Sequence, residues 1–223
     1  MAQYTLIVGT RSWSSWSLRP YVALKATGAA FETVDIRLRQ KDAPTTREQI
    51  LNFSPAGKVP VLRMEENGKT LTVWDSLAIC ETIAERHPQA GLWPSDPAAR
   101  AVARSYAAEM HSGFPDLRDQ LSMDFARKKP MPELLEETRQ QIARILEAWQ
   151  SALAAHRGSF LFGNLSVADC MYAPVVSRFE TYGVEVPSPV RAYMERVMAL
   201  PAMQEWRALC EKEIEAGLPT AMP

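Results

Sequence analysis

Cysteine and histidine are both scarce in this chain, with three of each among 223 residues. Cys80, Cys170 and Cys210 are widely spaced, odd in number and without a CxxC pair, so the sequence offers neither a disulfide framework nor a typical zinc motif. We therefore expect no metal and no bound cofactor, and we expect three buried free thiols within helices. Such thiols are typical of a reducing compartment, which favours a cytoplasmic protein.

Long apolar runs and an excess of charge of one sign are absent as well. No run approaches the roughly 20 apolar residues that cross a bilayer, and Met1 to Gly9 lacks the basic leader and cleavage site of a signal peptide. The formal net charge of -1 gives no electrostatic reason to expect nucleic acid or an anionic membrane as a partner. With 47% hydrophobic and 23% charged residues, the composition is that of a globular protein with a core.

The pattern of the sequence changes at a proline-rich stretch. Residues 87–97 read His-Pro-Gln-Ala-Gly-Leu-Trp-Pro-Ser-Asp-Pro, and the three prolines and one glycine there predict a linker rather than a helix. Short strand-like and helical runs alternate before it, and long amphipathic segments follow it. We therefore divide the chain into an N-terminal domain at 1–86 and a C-terminal domain at 98–223.

The N-terminal domain is predicted to contain both strands and helices. Its predicted strands are Tyr4–Gly9, Phe31–Ile36, Val59–Leu62 and Thr70–Val73. Its predicted helices are Ser17–Gly28, Arg47–Phe53 and Asp75–Arg86. The order is βαβαββα, in which the βαβ unit requires a parallel pair, and Asn67-Gly68 between the last two strands predicts an antiparallel hairpin. We expect a small mixed sheet with helices on both faces.

The C-terminal domain is predicted to be entirely helical. Its clearest helix runs from Glu133 to Arg157 with Gly158 as the stop. The apolar positions of this helix form one stripe: Leu135, Ile142, Ile145, Leu146, Trp149 and Leu153. Pro115 is expected to bend an earlier helix of this domain.

Residues 13–19, Trp-Ser-Ser-Trp-Ser-Leu-Arg, lie between the first strand and the first helix. Ser14 and Ser15 are therefore beside a helix N-terminus, where free N–H groups and the helix dipole favour an anion. Serine is also a preferred N-cap residue, so simple helix capping is the alternative interpretation.

Residues 57–61, Gly-Lys-Val-Pro-Val, begin the third strand with a proline that has no N–H to donate. If the Val59–Pro60 bond is cis, the chain turns sharply and leaves the N–H and C=O of Val59 free to pair with a peptide-like ligand. A trans proline on an edge strand is the alternative.

Two further stretches open predicted helices. Asp75 and Ser76 stand where a carboxylate interacts favourably with the helix dipole and a hydroxyl can face a ligand carboxylate, although capping alone would also explain them. Ser166-Val167-Ala168-Asp169 is a capping box before an apolar run, and we interpret it as structural.

The order of these motifs resembles the cytosolic glutathione transferase family over nearly the whole chain. The resemblance rests on Ser-Ser-Trp-Ser-Leu-Arg-Pro at 14–20, Gly-Lys-Val-Pro-Val-Leu at 57–62, Asp-Ser-Leu-Ala-Ile at 75–79, Leu-Trp-Pro at 92–94 and Ser-Val-Ala-Asp at 166–169. Ser14 lies five residues before Arg19, as in the serine-type zeta, tau and phi classes. The run Ala-Glu-Met-His-Ser-Gly-Phe at 108–114 is similar to a bacterial branch. The resemblance implies a thioredoxin-like α/β domain that binds glutathione, followed by an all-α helical bundle.

The resemblance also implies roles for individual residues. Ser14, or Ser15 if the loop alignment shifts by one residue, would donate a hydrogen bond to the glutathione sulfur. The tripeptide would be held by Lys58, Val59, cis-Pro60, Asp75 and Ser76. The second-substrate pocket would be formed by Trp13, Trp16, Tyr106, Met110, His111 and Phe114. Tyr106, Met110 and Phe114 are spaced by four residues and are therefore expected on one helix face. The alternative is that this face packs in the core and lines no pocket. For His111, the alternative is an ordinary surface or core histidine.

The implied activity is conjugation of glutathione to a small hydrophobic electrophile, as in detoxification, by a homodimer that needs no further cofactor. Two departures from the family pattern are Asp75, where many relatives carry glutamate, and Trp16, where zeta isomerases usually carry cysteine. The second departure puts maleylacetoacetate isomerase activity in doubt. A glutathione-dependent isomerase or peroxidase and a non-catalytic interaction module are the alternatives.

Overall fold

The computed structural model describes residues 3–217, and its N-terminal domain has the predicted βαβαββα order. The strands are β1 (Gln3–Gly9), β2 (Phe31–Ile36), β3 (Val61–Glu66) and β4 (Lys69–Trp74). The helices are α1 (Ser15–Thr27), α2 (Thr46–Leu51) and α3 (Ser76–Arg86). The strand order in the sheet is β2-β1-β3-β4, with β1 parallel to β2 and β3 antiparallel to both neighbours. The mixed thioredoxin-like sheet is therefore confirmed.

The apolar residues of β1 and β3 divide between the two faces of the sheet. Leu6 and Leu62 belong to the main core, which includes residues of α1 and α3, whereas Ile7 and Val61 pack with Ile50 of α2. Successive side chains of a strand point to opposite faces, so a strand covered on both sides must be apolar at every position. This is why β1 is apolar at the three successive positions 6–8.

The C-terminal domain is a bundle of helices joined to α3 by a short 3₁₀ turn at Pro88–Ala90. Its helices are α4 (Pro97–Ser112), α5 (Pro115–Gln120), α6 (Glu136–His156), α7 (Val167–Tyr182), α8 (Ser188–Met198) and α9 (Pro201–Glu215). Helix α7 is buried on nearly every side and packs against α1 and α4, so it joins the two domains. Among residues 3–217, no helix is long and apolar enough to cross a membrane.

The capping box that begins α7 is confirmed. The backbone N–H and the hydroxyl of Ser166 both donate to Asp169 Oδ2 at 2.8 Å, and the N–H of Leu161 donates to Oδ1 at 3.1 Å. The three cysteines are buried free thiols within α3, α7 and α9, also as expected.

The predicted start and stop of the long helix α6 are wrong. The helix begins at Glu136, because Gln120 Oε1 accepts the N–H of Leu135 at 2.9 Å and leaves that leucine exposed as the N-cap. At the other end Arg157, not Gly158, adopts the left-handed conformation with φ 43°. Gly158 is required for a different reason, since a Cβ there would lie 2.3 Å from the backbone of Gly163.

One smaller expectation for the C-terminal domain also needs correction. Pro115 does not bend a helix: α4 ends at Ser112, Phe114 is left-handed with φ 61°, and Pro115 is the first residue of α5. The expectation of an all-helical domain is confirmed, and isolated bridges pair Phe160 with Gly163 and Phe162 with Asn164 in the turn between α6 and α7. A proline fits the first turn of a helix because the N–H that it lacks has no partner there.

Candidate functional site

A cavity of about 420 Å³ lies where the end of the sheet meets α1, α3 and α4. Its lining residues come from both domains: Trp16, Ala56, Lys58, Val59, Pro60, Trp74, Asp75, Ser76 and His111. The Val59–Pro60 bond is cis, as predicted. The structure therefore brings together all five residues that the family resemblance assigns to binding the tripeptide.

Asp75 connects the cavity to two helices. It is the N-cap of α3 in a left-handed conformation with φ 76°, and its Oδ1 accepts from the N–H of Leu77 at 2.9 Å and of Ala78 at 3.2 Å. Its Oδ2 lies 3.2 Å from Nε2 of His111, at the end of α4. Asp75 thus caps a helix and also presents a carboxylate to the cavity, so the two interpretations of this motif are compatible.

Trp16 lies between several groups that carry or can take up positive charge. The guanidinium carbons of Arg19 and Arg118 lie 4.2 Å and 4.8 Å from the centroid of its ring, and the ring of His111 meets it edge-on at 5.3 Å. Both arginines are in range for a cation–π interaction. One wall of the cavity is therefore an aromatic ring that carries two cations on its surface.

Arg19 is the most deeply buried cation beside the cavity. Its side chain is 1% exposed, and Nη1 donates to Ser76 Oγ at 3.4 Å. Burial, reinforced by the charge of Arg118, lowers the pKa of Arg19 to about 9. The guanidinium still carries its charge at pH 7, and a nearby anion would stabilise it. The arrangement favours an anionic ligand atom close to Ser76 and Trp16.

The surroundings of His111 favour its neutral form. Burial lowers its pKa below the ordinary 6.5, and the charges of Arg19 and Arg118 act in the same direction, while Asp75 opposes them. The neutral imidazole donates from Nε2 to Asp75, since a carboxylate can only accept. This contact joins the two domains at the cavity.

Ser14 and Ser15 precede Trp16 in the chain and are not among the residues that line the cavity. They are 4% and 7% exposed. The hydroxyl of Ser14 is directed to Ser17 Oγ at 2.7 Å rather than to the first amides of α1, although Ser14 is the N-cap residue. The N–H of Gly9 donates to the same Ser17 oxygen at 3.1 Å. The capping interpretation therefore does not describe the side chain of Ser14.

The residues predicted for the second-substrate pocket are divided among three places. Trp16 and His111 line the cavity, whereas Trp13 lines a separate one beside residues 37–42. The hydroxyl of Tyr106 donates to the carbonyl of Ala148 at 3.0 Å, within the helical bundle. The remaining two members of the predicted stripe are buried in the core: Met110 and Phe114. The core stripe, which was the alternative, describes where Tyr106 and Met110 lie, whereas Phe114 lies outside α4 and does not share its helix face.

Sequence reasoning did not identify Trp74, Ala56 or Arg118. Trp74 immediately precedes Asp75, so its place beside the cavity could have been inferred from the motif. Arg118 gives no such signal, because it reaches Trp16 through the sharp turn between α4 and α5. Among residues 3–217, no group of three or more His, Cys, Asp or Glu is arranged to hold a metal ion.

Comparisons with known proteins agree with this geometry. The maleylacetoacetate isomerase of Rattus norvegicus is 29% identical over 198 residues, which are 87% of this chain and 87% of the relative. The structure of a glutathione transferase homolog from Burkholderia gl BGR1, with bound glutathione, has a TM-score of 0.71 and 26% identity, covering 94% of this chain and 99% of that one. The maleylacetoacetate isomerase from Anaeromyxobacter dehalogenans 2CP-1, with glutathione in its active site, has a TM-score of 0.64 and 26% identity, covering 92% and 96%.

Family models match both domains. The model of the glutathione S-transferase N-terminal domain matches residues 13–86, and that of the C-terminal domain matches residues 132–209. The first match contains Trp13 and Ser14 before α1, the cis-proline and the start of α3, and the second contains α6 and α7. The chain belongs to the glutathione S-transferase family of glutathione-dependent enzymes.

Proposed function

We propose that the chain binds glutathione in the cavity between its domains and activates the thiol as a thiolate for attack on a small hydrophobic electrophile. The observation that carries this proposal is the grouping of Val59, Asp75 and Ser76 around one cavity, beside the buried cation Arg19. The backbone of Val59 would pair with the cysteinyl part, and Asp75 and Ser76 would hold the γ-glutamyl end. Lys58 would contact a carboxylate of the tripeptide.

The free energy required to lower the pKa of the glutathione thiol is modest. A free thiol has a pKa of about 8.5, so about 3% is ionised at pH 7. Lowering that pKa by about two requires roughly 2.7 kcal/mol of preferential stabilisation of the thiolate. A hydrogen bond to a charged group contributes roughly 1.5–3 kcal/mol, and the N-terminus of α1 adds to it. One serine beside this helix, with Arg19 nearby, is sufficient.

Ser14 is the preferred donor to the sulfur because Ser17 can support it. A hydroxyl can donate one hydrogen bond and accept others, and the proton on each oxygen can rotate. Gly9 donates to Ser17 Oγ, which leaves the Ser17 proton available to Ser14 across their 2.7 Å contact. Ser14 could then donate its own proton to the thiolate. Ser15 would have no such support from Ser17.

A second reaction, glutathione-dependent cis–trans isomerisation, is favoured by the relatives named maleylacetoacetate isomerase. The thiolate would add to a conjugated double bond, the resulting single bond would rotate, and elimination would return the thiolate and the isomerised product. Conjugation differs in that the sulfur stays bonded to carbon while a leaving group departs or a proton is taken up. Trp16 and Trp74 provide apolar walls for either kind of substrate.

The first experiment is calorimetric titration of reduced glutathione into the wild type, Ser14→Ala and Ser15→Ala. It is followed by assays of chlorodinitrobenzene conjugation and of maleylacetoacetate isomerisation. Ser14→Ala should bind glutathione with similar affinity and lose most of its turnover. Loss of turnover in Ser15→Ala alone would move the sulfur contact to Ser15. No binding of glutathione at millimolar concentration would refute the proposal.

The family resemblance also leads us to propose a cytoplasmic homodimer. Exposed apolar side chains on both domains, Leu71 of β4 and Val102 of α4, are suited to such an interface. Elution at the mass of a single 25.0 kDa chain in gel filtration would contradict the dimer.

A further inference from the structure

The loop between β1 and α1, Thr10–Ser14, is held by a carboxylate from the other end of the chain. Glu213, near the end of α9, accepts from the N–H of Arg11 at 2.7 Å with Oε1. Its Oε2 accepts from the N–H of Ser12 at 3.0 Å and from the Ser12 hydroxyl at 3.1 Å. Both oxygens of one side chain are therefore used by two successive residues of the loop.

The carbonyl groups of the same two residues are also bonded by the C-terminal domain. Trp206 Nε1 donates to the carbonyl of Arg11 at 3.1 Å, and the N–H of Phe125 donates to the carbonyl of Ser12 at 3.0 Å. Arg11 and Ser12 are 5% and 3% exposed, and buried backbone groups without partners are costly. The conformation of this part of the loop therefore depends on α9 and on the residues around Phe125.

The position of Ser14 follows from that of Arg11 and Ser12. The N–H groups of Trp13 and Ser14 both donate to the carbonyl of Thr10, at 3.1 Å and 2.9 Å, so the loop is a tight turn with Arg11 and Ser12 at its centre. The turn offers little freedom for one residue to move alone. A change in the two residues that Glu213 holds would move the hydroxyl that follows them.

We propose that Glu213 is a positioning residue, which fixes the β1–α1 loop so that the Ser14 hydroxyl reaches the glutathione sulfur. This inference rests on the proposed function, because it requires Ser14 to contact the thiol. A carboxylate suits the role because each of its oxygens only accepts, whereas a glutamine would present an NH₂ group to one of the two N–H donors. Glu213 acts through the loop and does not itself contact the substrate.

A purely structural role would be to hold the two domains together, and α9 provides a matched control. Glu205 also lies on α9 and also reaches the N-terminal domain, where it pairs with Lys25 Nζ of α1 at 2.7 Å. Glu205→Gln removes an interdomain contact of a carboxylate on the same helix, one made to a lysine side chain and not to the backbone of the loop. Glu213→Gln removes the charge at the loop, and Glu213→Asp keeps the charge on a shorter side chain.

The experiment measures the pKa of the bound glutathione thiol from its ultraviolet thiolate absorbance, together with kcat, KM for glutathione and amide hydrogen exchange at residues 11–14. Displacement of a catalytic group by about 1 Å can cost roughly 100-fold, so we expect Glu213→Gln to lower kcat at least about tenfold. We also expect it to raise the thiol pKa and to speed exchange at Arg11 and Ser12, with KM nearly unchanged. Glu213→Asp should recover part of kcat, and Glu205→Gln should behave as the wild type.

Ser14→Ala is measured in parallel to separate two kinds of failure. If Ser14→Ala raises the thiol pKa but Glu213→Gln and Glu213→Asp do not, the positioning role of Glu213 is wrong and the proposed function stands. If Ser14→Ala leaves the thiol pKa unchanged, both the role of Ser14 and that of Glu213 are overturned. A fall in melting temperature without a change in thiol pKa in either Glu213 variant would assign the residue to domain packing alone.

Discussion

Replacement of Arg19 by methionine should make the protein more stable and less active. Arg19 is a buried cation whose Nη1 lies 3.4 Å from Ser76 Oγ and whose guanidinium carbon lies 4.2 Å from the centroid of the Trp16 ring. Among the described residues, no carboxylate forms a hydrogen bond with it. A buried charge without a close counterion is costly to keep. Methionine has a similar length, carries no charge and adapts to irregular spaces.

The size of the effect on stability follows from the pKa of Arg19. A lowering from 12.5 to about 9, at about 1.4 kcal/mol per pH unit, means that the folded protein carries this charge at a cost of about 5 kcal/mol. The substitution also loses a cation–π contact of about 2 kcal/mol and a long hydrogen bond of about 1 kcal/mol. The remaining gain is about 2 kcal/mol, which raises the melting temperature by roughly 4 to 8 °C in a chain of this length.

The effect on the thiol has the opposite sign. If the thiolate binds about 8 Å from the guanidinium of Arg19, the unit charge contributes roughly 2 kcal/mol of attraction at an effective dielectric constant of about 20. Arg19→Met should therefore raise the pKa of bound glutathione by about 1.5 and reduce the thiolate population near neutral pH. The assays are thermal unfolding of the free protein and ultraviolet titration of the bound thiol.

Arg178→Met is the matched control for this substitution. Arg178 is also buried, with its pKa lowered to about 9 by burial, but it donates to the carbonyls of Arg118 at 3.2 Å and Leu121 at 2.5 Å. Its removal also removes a buried charge, but it loses two hydrogen bonds from a charged group, at roughly 1.5–3 kcal/mol each, and leaves two buried acceptors without this donor. It should therefore not stabilise the protein, and it should leave the thiol pKa unchanged. If Arg19→Met instead lowers the melting temperature by several degrees, or leaves the thiol pKa unchanged, Arg19 is a structural cation and the reasoning fails.

Two further substitutions test His111 and Asp169. Because the pKa of His111 is lowered in the folded protein, the unfolded chain takes up the proton first, and stability should fall as the pH decreases below about 6.5. His111→Gln should reduce that fall in denaturant unfolding curves, whereas an identical pH dependence in the variant would contradict the assignment. Asp169→Asn should lower the melting temperature by roughly 6 to 12 °C, since loss of charged hydrogen bonds to Ser166 costs about 3 kcal/mol. Unchanged thermal unfolding would show that the capping box is dispensable.

The N-terminal domain was predictable because its signals are local. A glycine in the left-handed conformation ends α1, and Asn67 and Gly68 both have positive φ at the hairpin turn. The position of Pro60 at the start of a strand left the cis and trans forms open, and the family resemblance implied the cis form that the structure has. Each of these features depends on a few neighbouring residues, which is the range over which a sequence pattern is informative.

The boundaries of α6 and the second-substrate pocket were not predictable in the same way. Gln120 caps α6 from a distance of 15 residues along the chain, and only packing brings it to Leu135. Tyr106 lies on a helix face that the sequence marks as apolar, but the pattern does not say whether that face meets a cavity or another helix. The structure places its hydroxyl against α6, where it donates to a backbone carbonyl.

The division of the site between the domains explains why sequence reasoning found one half of it. The N-terminal domain supplies the groups that follow one another in short motifs, such as Asp75 and Ser76. The C-terminal domain supplies His111, Arg118 and Glu213, each from a different helix, to contacts with the first domain. Single residues from different helices do not form a contiguous pattern that can be recognised in the sequence. The residues that adjust the glutathione thiol and select the second substrate must therefore be sought in contacts between the domains.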